Sequence, residues 1–260
     1  MEIQNRPYDS AESMNAALLS LYESRLPELN QQIAQCVVKC SWPADKVSKL
    51  FFMKVDQKYE KARIKILFVG RETFGWGEYN RLNEANGLMN SYGEVSAYGK
   101  HYNSPFWWFR EKFSERMGVS KEDFMKGTLW TNLSKIDVNR TTPTGGPLFG
   151  DLSQLFVSLL VAEIEIVRPD IVLIMTTSGQ YTWHLNYYRW LQNEPFKDFN
   201  DKSQLTRKPV LPKKIHQLIA PNRLPEHTYQ ICHPNALRRR GNYMERADEL
   251  INTLAVRINQ

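Results

Sequence analysis

Four short apolar runs alternate with stretches of helical periodicity, and this alternation limits the possible folds more than any other feature of the sequence. The runs are IKILFVG (64–70), TLWTNLS (128–134), DIVLIMTT (170–177) and TYQICH (228–233). Helical patterns cover 150–167, 178–194 and 241–258. Buried strands separated by helices predict an α/β fold, in which helices cover both faces of a central four-stranded parallel sheet.

The segment before the first run has a different pattern. Apolar residues recur at three- and four-residue steps over 8–40, which predicts a helix that Pro27 should break or kink. A second helix is predicted over 43–60. We therefore expect an N-terminal helical elaboration over 1–61 and an α/β domain over 62–260.

Positive charge is concentrated in the last quarter of the chain. Lys and Arg total 34 against 28 Asp and Glu, a formal net charge of +6. Segment 201–241 holds nine basic residues and only two acidic ones, Asp201 and Glu226. This asymmetry predicts a polyanionic partner, although a solubilising surface with a basic loop would also account for it.

The cysteine and histidine content argues against several classes of protein. Three cysteines are too few for a disulfide framework or a four-thiolate metal site, and the histidines form no metal-ligand spacing with them. No run of about 18 apolar residues occurs, so no membrane span is expected. We expect a reducing, cytoplasmic setting and no metal.

In a parallel sheet the ligand crevice lies beyond the carboxyl ends of the strands, where the following loops converge. These loops are GRETFGWGEYN, NLSKIDVNRTTPTGG, TTSGQ and HPNALRRRGNY. In the first, Glu72 could orient a water molecule, and Gly70, Gly75 and Gly77 allow the backbone to approach a ligand closely. A helix cap or a surface charge is the alternative role for this carboxylate.

The second loop begins with an amide side chain. Asn132 offers one acceptor and two donors, the set needed to bind the edge of a pyrimidine, or it caps the next turn. Lys135, Asn139 and Arg140 suit phosphate or base contacts. The aromatic run FWWF (106–109) could stack on bases, but we expect it to form core.

The fourth loop is the most specific of the four. His233 directly follows a strand and could donate a hydrogen bond to charge developing on a leaving group. Leu237 could wedge into a base stack, and Arg238, Arg239 and Arg240 could hold phosphates. The alternative is a histidine satisfied within the core, followed by a basic surface turn.

Taken together, the four loops resemble the motifs of the uracil-DNA glycosylase superfamily over about residues 62–258. The resemblance is carried, in this order, by ILFVGRETFGWG, WTNLSKIDVNR, RPDIVLIMTTSG and ICHPNALRRRG. Membership would imply a three-layer α/β/α fold and a DNA partner, duplex or single-stranded, contacted through a flipped base. It would imply no cofactor, and the four cysteines that hold an iron–sulfur cluster in some members are not available here.

The resemblance also implies a role for individual residues. Glu72 and His233 match the catalytic positions. The base-binding positions are Gly70, Arg71, Phe74 and Asn132, and the DNA-binding positions are Ser178, Gly179, Asn235, Leu237, Arg238, Arg239 and Arg240.

Two residues depart from the family pattern. Thr73 replaces the usual Pro, and Asn235 replaces the usual Ser, which leaves the identity of the base open. The aromatic residue that should stack on this base could be Phe74, Trp76 or Tyr92.

From the resemblance we expect a monofunctional DNA glycosylase for base excision in DNA repair, acting on uracil, a damaged base or a bulky modified base. One alternative is a protein of the same fold that binds modified or damaged DNA without cleaving it. Another is an enzyme that processes free nucleosides, for which the basic segment 201–241 would have no use.

Overall fold

Strands and helices alternate along the chain in a computed structural model, which describes residues 8–98, 104–141, 143, 149–177, 206–211, 215–219, 224–237 and 242–259. Its helices are α1 (Ala11–Lys39), α2 (Gln57–Glu60), α3 (Ala85–Tyr98), α4 (Pro105–Arg116), α5 (Phe124–Gly127), α6 (Phe149–Val167), α7 (Pro234–Leu237) and α8 (Tyr243–Ile258). Its strands are β1 (Ile66–Gly70), β2 (Leu129–Asn132), β3 (Ile171–Thr177), β4 (Thr206–Leu211), β5 (Ile215–Ile219) and β6 (His227–Cys232).

The strands form one sheet in the order β2-β1-β3-β6-β5-β4. The first four of these are parallel neighbours, while β5 and β4 are added antiparallel. The predicted α/β fold with helices on both sides of the sheet is confirmed. The predicted number of strands is wrong, because six strands and not four form the sheet in the described part of the chain.

The two additional strands come from the basic segment. The sequence of β4, TRKPVL, carries two basic residues and Pro209, so it lacks the continuous apolar run by which buried strands are recognised. Such residues are typical of an edge strand, where they discourage pairing with other chains. β4 lies at the edge of the sheet.

The in-register pairing of β1 and β2 decides which side chains share a face. Phe68 pairs with Trp130, and Gly70 pairs with Asn132. Since side chains alternate along a strand, these four lie on one face. Arg110 of α4 contacts Phe68 and Trp130, which places α4 on this face, close to α7 and α8.

The opposite face is covered by α6, which packs on α1. The hydroxyl of Thr131 on β2 donates to Glu163 of α6 at 3.0 Å. Helix α1 begins at its cap Ser10 and continues through Pro27, so the predicted break does not occur. Its buried residues belong to the same hydrophobic cluster as β1 and β3.

The predicted helix over 43–60 is largely wrong. Only a 3₁₀ turn (Ala44–Lys46) and α2 form there. Between them the chain follows an extended path, because its backbone amides donate to distant groups: Ser48 to Asp137 O (2.9 Å), Phe51 to Lys135 O (2.8 Å), Met53 to Tyr22 Oη (3.1 Å) and Val55 to Asn15 Oδ1 (2.8 Å). These partners lie 31 or more residues away along the chain. The periodicity of a segment cannot predict contacts with such distant residues.

Candidate active site at the carboxyl edge of the sheet

Gly70 and Asn132 meet at the carboxyl ends of β1 and β2. A Cβ atom built on Gly70 would lie only 2.4 Å from Asn132 Oδ1, so the amide lies directly over the glycine backbone. The amide of Leu133 donates to the Gly70 carbonyl at 3.0 Å and fixes this approach. Asn132 is 5% exposed. Only a glycine permits this position of the amide.

Phe106 and His233 complete the cluster. The nearest ring atom of Phe106 lies 3.5 Å from the Cβ position of Gly70. The Phe106 ring is also nearly parallel to the imidazole of His233, with centroids 6.2 Å apart and planes 14° apart. We call Gly70, Asn132, Phe106 and His233 the edge cluster. It unites an amide, an aromatic surface and an imidazole from three elements and the residue after β6.

The loop that follows β6 orients the imidazole. His233 Nδ1 accepts a hydrogen bond from the Asn235 amide at 3.2 Å, and Ala236 donates to the His233 carbonyl at 2.8 Å. Because Nδ1 acts as an acceptor, a neutral imidazole carries its proton on Nε2. The hydrogen-bond donor of a neutral His233 is therefore Nε2.

Glu72 lies two residues beyond β1, with its side chain 10% exposed. Its Oε1 is 3.4 Å from Arg71 Nη2. Arg71 Nε is buried and has no hydrogen-bond partner within the described part of the chain. The Arg71 carbonyl accepts from the Ser134 amide at 2.8 Å, which joins the first and second loops. The sheltered carboxylate is thus held beside the edge of the sheet.

A buried carboxylate, Asp137, organises both loops. Its Oδ2 accepts from the Thr73 hydroxyl (2.7 Å) and the Gly75 amide (2.8 Å), and its Oδ1 accepts from the Arg140 amide (2.8 Å). The hydroxyl of Ser48 lies 3.0 Å from that of Thr73. Thr73, which replaces the Pro of the glycosylase motif that this loop resembles, therefore has a structural role of its own: it ties the Glu72 loop to the second loop.

The aromatic residues proposed for stacking lie elsewhere. Phe74 is 76% exposed and contacts the guanidinium of Arg140 at 5.9 Å. Trp76 and Tyr92 pack around Phe51 and Trp130, and no ring contact joins either of them to Phe106 or His233 within the described part of the chain. Tyr92 Oη also accepts from the Trp130 amide at 3.1 Å.

For the run 106–109 the sequence favours core over base stacking and does not single out Phe106. That expectation holds for Phe109, which is fully buried, but Phe106 is only partly buried and faces the strand ends. A signal was present in the sequence. Ser104 and Pro105 are a cap and first-turn proline, so Phe106 belongs to the first turn of α4, where a helix end can reach the edge of a sheet.

Lys135 was expected to suit phosphate or base contacts, and this expectation is wrong. Its side chain is fully buried and its Nζ lies 2.6 Å from Glu163 Oε2 and 2.6 Å from Thr131 Oγ1. Glu163 also accepts from Tyr22 Oη at 2.9 Å. Burial lowers the pKa of Lys135, although Glu163 opposes that shift. Lys135 belongs to the core beneath the second loop.

The remaining predicted positions lie after β6 or outside the described residues. Asn235 is exposed, whereas Leu237 is 5% exposed and packs in the hydrophobic core. A wedge role for Leu237 stays a prediction, and it requires the side chain to leave this packing. The positions outside the described residues are Ser178, Gly179, Arg238, Arg239 and Arg240.

Three further observations bear on the chemistry of the chain. Within the described ranges, no group of three or more His, Cys, Asp or Glu side chains is arranged to hold a metal ion. No helix in the same ranges is long and apolar enough to cross a membrane. Comparison with protein-family models and with curated proteins gives no match.

Proposed function

We propose that this chain is a DNA glycosylase that hydrolyses the N-glycosidic bond of a base flipped out of DNA. The observation that carries the proposal is the edge cluster, with Glu72 two residues beyond β1. It offers hydrogen bonds for the edge of a base, a ring for its face and an imidazole donor for its oxygen. Flipping is required because a base stacked in a duplex cannot enter such a site.

In the proposed reaction, the bond between C1′ of the sugar and the base nitrogen breaks, and its electron pair leaves with the base. His233 Nε2 donates to the base oxygen on which negative charge develops. Glu72 orients a water molecule, whose oxygen bonds to C1′ and whose proton passes to the carboxylate. The base nitrogen then takes a proton from solvent. Removing one such electrostatic contact typically costs about 3 kcal/mol of barrier lowering.

Asn132 would select the base through paired hydrogen bonds. Its amide is fixed by close contact with Gly70, so its donor and acceptor point in defined directions. Phe106 replaces Phe74, Trp76 and Tyr92 as our candidate for stacking on the base, because its ring lies against both Gly70 and His233. Ser178, Gly179 and the arginines Arg238, Arg239 and Arg240 remain our candidates for phosphate contact.

The decisive experiment uses DNAs that each carry one deaminated, damaged or bulky modified base, with released base detected by mass spectrometry. Wild type should release at least one base, and Glu72→Gln and His233→Ala should each lose about 100-fold or more in single-turnover rate. Their DNA affinity should be retained. Glu78→Gln, which neutralises an exposed carboxylate of the same loop, is the matched control and should retain full activity.

A second variant tests the base site directly. Gly70→Ala places a methyl group against Asn132 Oδ1, so it should impair base selection as strongly as Asn132→Ala does. Full turnover by both Glu72→Gln and His233→Ala would overturn the assigned roles. Salt-sensitive binding without release from any DNA would favour a non-catalytic reader of the same fold, and cleavage of free nucleosides but not DNA would favour a nucleoside-processing enzyme.

A further inference from the structure

Arg110 is a fully buried arginine on α4 with no charged partner among the described residues. Its exposure is 0%, and its guanidinium carbon lies 4.6–5.9 Å from the centroids of five aromatic rings. The rings are those of Phe68, Phe106, Trp107, Phe124 and Trp130. Aromatic faces attract a cation but cannot neutralise it.

The hydrogen bonds of the guanidinium are also incomplete. Nη2 donates to the Thr128 hydroxyl at 3.1 Å, whereas Nε and Nη1 have no partner within the described part of the chain. Burial lowers the pKa of Arg110 to about 10, so the group stays protonated at neutral pH. A buried charge that finds no opposite charge among the described residues is costly, so we looked for a role that its field could have.

Arg110 lies next to the edge cluster, on the side away from the carboxyl ends of the strands. It follows Phe106 by one turn of α4, and both side chains face the same side of the sheet. Arg110 contacts Phe68 and Trp130, which precede Gly70 and Asn132 by two residues on their strands. Two strand residues span about 6.6 Å, and Phe106 of the edge cluster is itself one of the rings around Arg110. The positive charge therefore acts on the edge cluster through a medium that screens it poorly.

We propose that Arg110 is a specificity-determining residue of the edge cluster, whose field favours bases that leave as anions and disfavours bases that are already cationic. The inference rests on the proposed glycosylase function. In that reaction the electron pair of the broken bond accumulates on the base, so a fixed positive charge behind the site stabilises the departing anion. A base that is a cation because it is alkylated leaves as a neutral molecule. The positive charge of Arg110 therefore does not stabilise its departure.

Two neutral variants and one charged variant separate this role from a structural one. Arg110→Met and Arg110→Gln remove the charge, and Arg110→Lys keeps it. Single-turnover release is measured from DNAs that carry uracils with substituents of graded acidity at the 5-position. We expect both neutral variants to lose about 10- to 100-fold on the least acidic base and much less on the most acidic one, whereas Arg110→Lys recovers most of the loss. An equal loss on all bases would show a merely structural role and overturn the proposal.

A binding measurement tests the charge without catalysis. Free 5-nitrouracil is an anion near neutral pH and thymine is neutral, so titration of each into wild type and variants isolates the effect of charge. Wild type should bind 5-nitrouracil at least 10-fold more tightly than Arg110→Met or Arg110→Gln does, with thymine unchanged. Equal affinities would overturn the proposal. Absence of release by wild type from every DNA, with this charge preference intact, would instead refute the glycosylase function alone.

Discussion

At the scale of single residues, the second loop stores backbone strain next to the candidate site. Asn139 and Arg140 both have positive φ, 52° and 59°, in a tight turn closed by hydrogen bonds between Val138 and Thr141 at 3.0 and 3.1 Å. Asn tolerates this conformation, but glycine is the usual residue at the second position, and arginine is strained there. Strain beside a candidate site is a reason to test the side chain for a function.

We expect Arg140→Gly to raise the free energy of unfolding by about 1 kcal/mol, because it relieves this strain. Because Arg140 is suited to a phosphate contact, we also expect the same change to weaken DNA binding and to lower the salt slope by about 1. Urea unfolding and titrations at several salt concentrations measure the two effects. Asn139→Gly, the control in the same turn, should leave DNA affinity unchanged. Unaltered affinity in Arg140→Gly would exclude this residue from the DNA-binding surface.

The site was predictable from the sequence only where strand ends determine it. Gly70, Asn132 and His233 end or directly follow apolar runs, so a parallel sheet brings them to one edge. Phe106 reaches that edge from a separate helix, and the burial of Lys135 depends on Glu163 of another helix. Such contacts depend on how helices pack on the sheet, which periodicity does not specify.

At the scale of elements, the ion pair of Lys135 and Glu163 fastens the end of β2 to α6. Both side chains are fully buried, so removal of one charge leaves the other without compensation. Lys135→Met should therefore lower the free energy of unfolding by about 3–5 kcal/mol, and Glu163→Gln in the same chain should restore much of it. Lys112→Met, which breaks the partly exposed pair with Glu115, should cost at most about 1 kcal/mol in urea unfolding. Similar losses from both single changes would contradict the buried role.

A pH dependence is expected from α1. Burial raises the pKa of the Cys36 thiol from 9.0 to about 12, and Cys40 adds to the shift. Above pH 9 the unfolded chain releases this proton while the folded chain retains it, so stability falls by about 1.4 kcal/mol per pH unit until pH 12. Cys36→Ala lacks this loss. The stability advantage of wild type over the variant should shrink between about pH 9 and 11 in urea unfolding, and a constant difference would refute the assignment.

The helices and strands differ in whether a local sequence pattern predicts them. Strands β1, β2, β3 and β6 and helices α6 and α8 carry continuous runs or strong periodicity, and the sequence predicted each within a few residues. The sequence of β4 is polar, as is typical of a strand at the edge of a sheet. The segment after Pro43 is held extended by hydrogen bonds to distant partners. In both cases the determining contact is non-local.

At the scale of the whole molecule, α1 is part of the principal core. Met14, Leu18, Leu29 and Ile33 are buried in the cluster that contains the sheet, and the Tyr22 hydroxyl donates to Glu163. Each large apolar side chain removed from such a core costs about 2–5 kcal/mol, while a domain of this size is stabilised by only about 5–15 kcal/mol in total. We therefore expect the N-terminal helices to be needed for folding, whatever else they do.

The α/β portion is not expected to fold when the chain is divided at residue 61. A fragment of residues 62–260 should show no cooperative unfolding transition in urea, because α6 would expose its apolar face and Glu163 would lose its tyrosine partner. Addition of a separate 8–61 peptide should restore the transition and, with it, any base release by the edge cluster. The peptide with Leu18→Asp and Ile33→Asp is the matched control and should fail to restore either. A cooperative transition in the fragment alone would show that the α/β portion folds independently, and that α1 is an addition to a complete core.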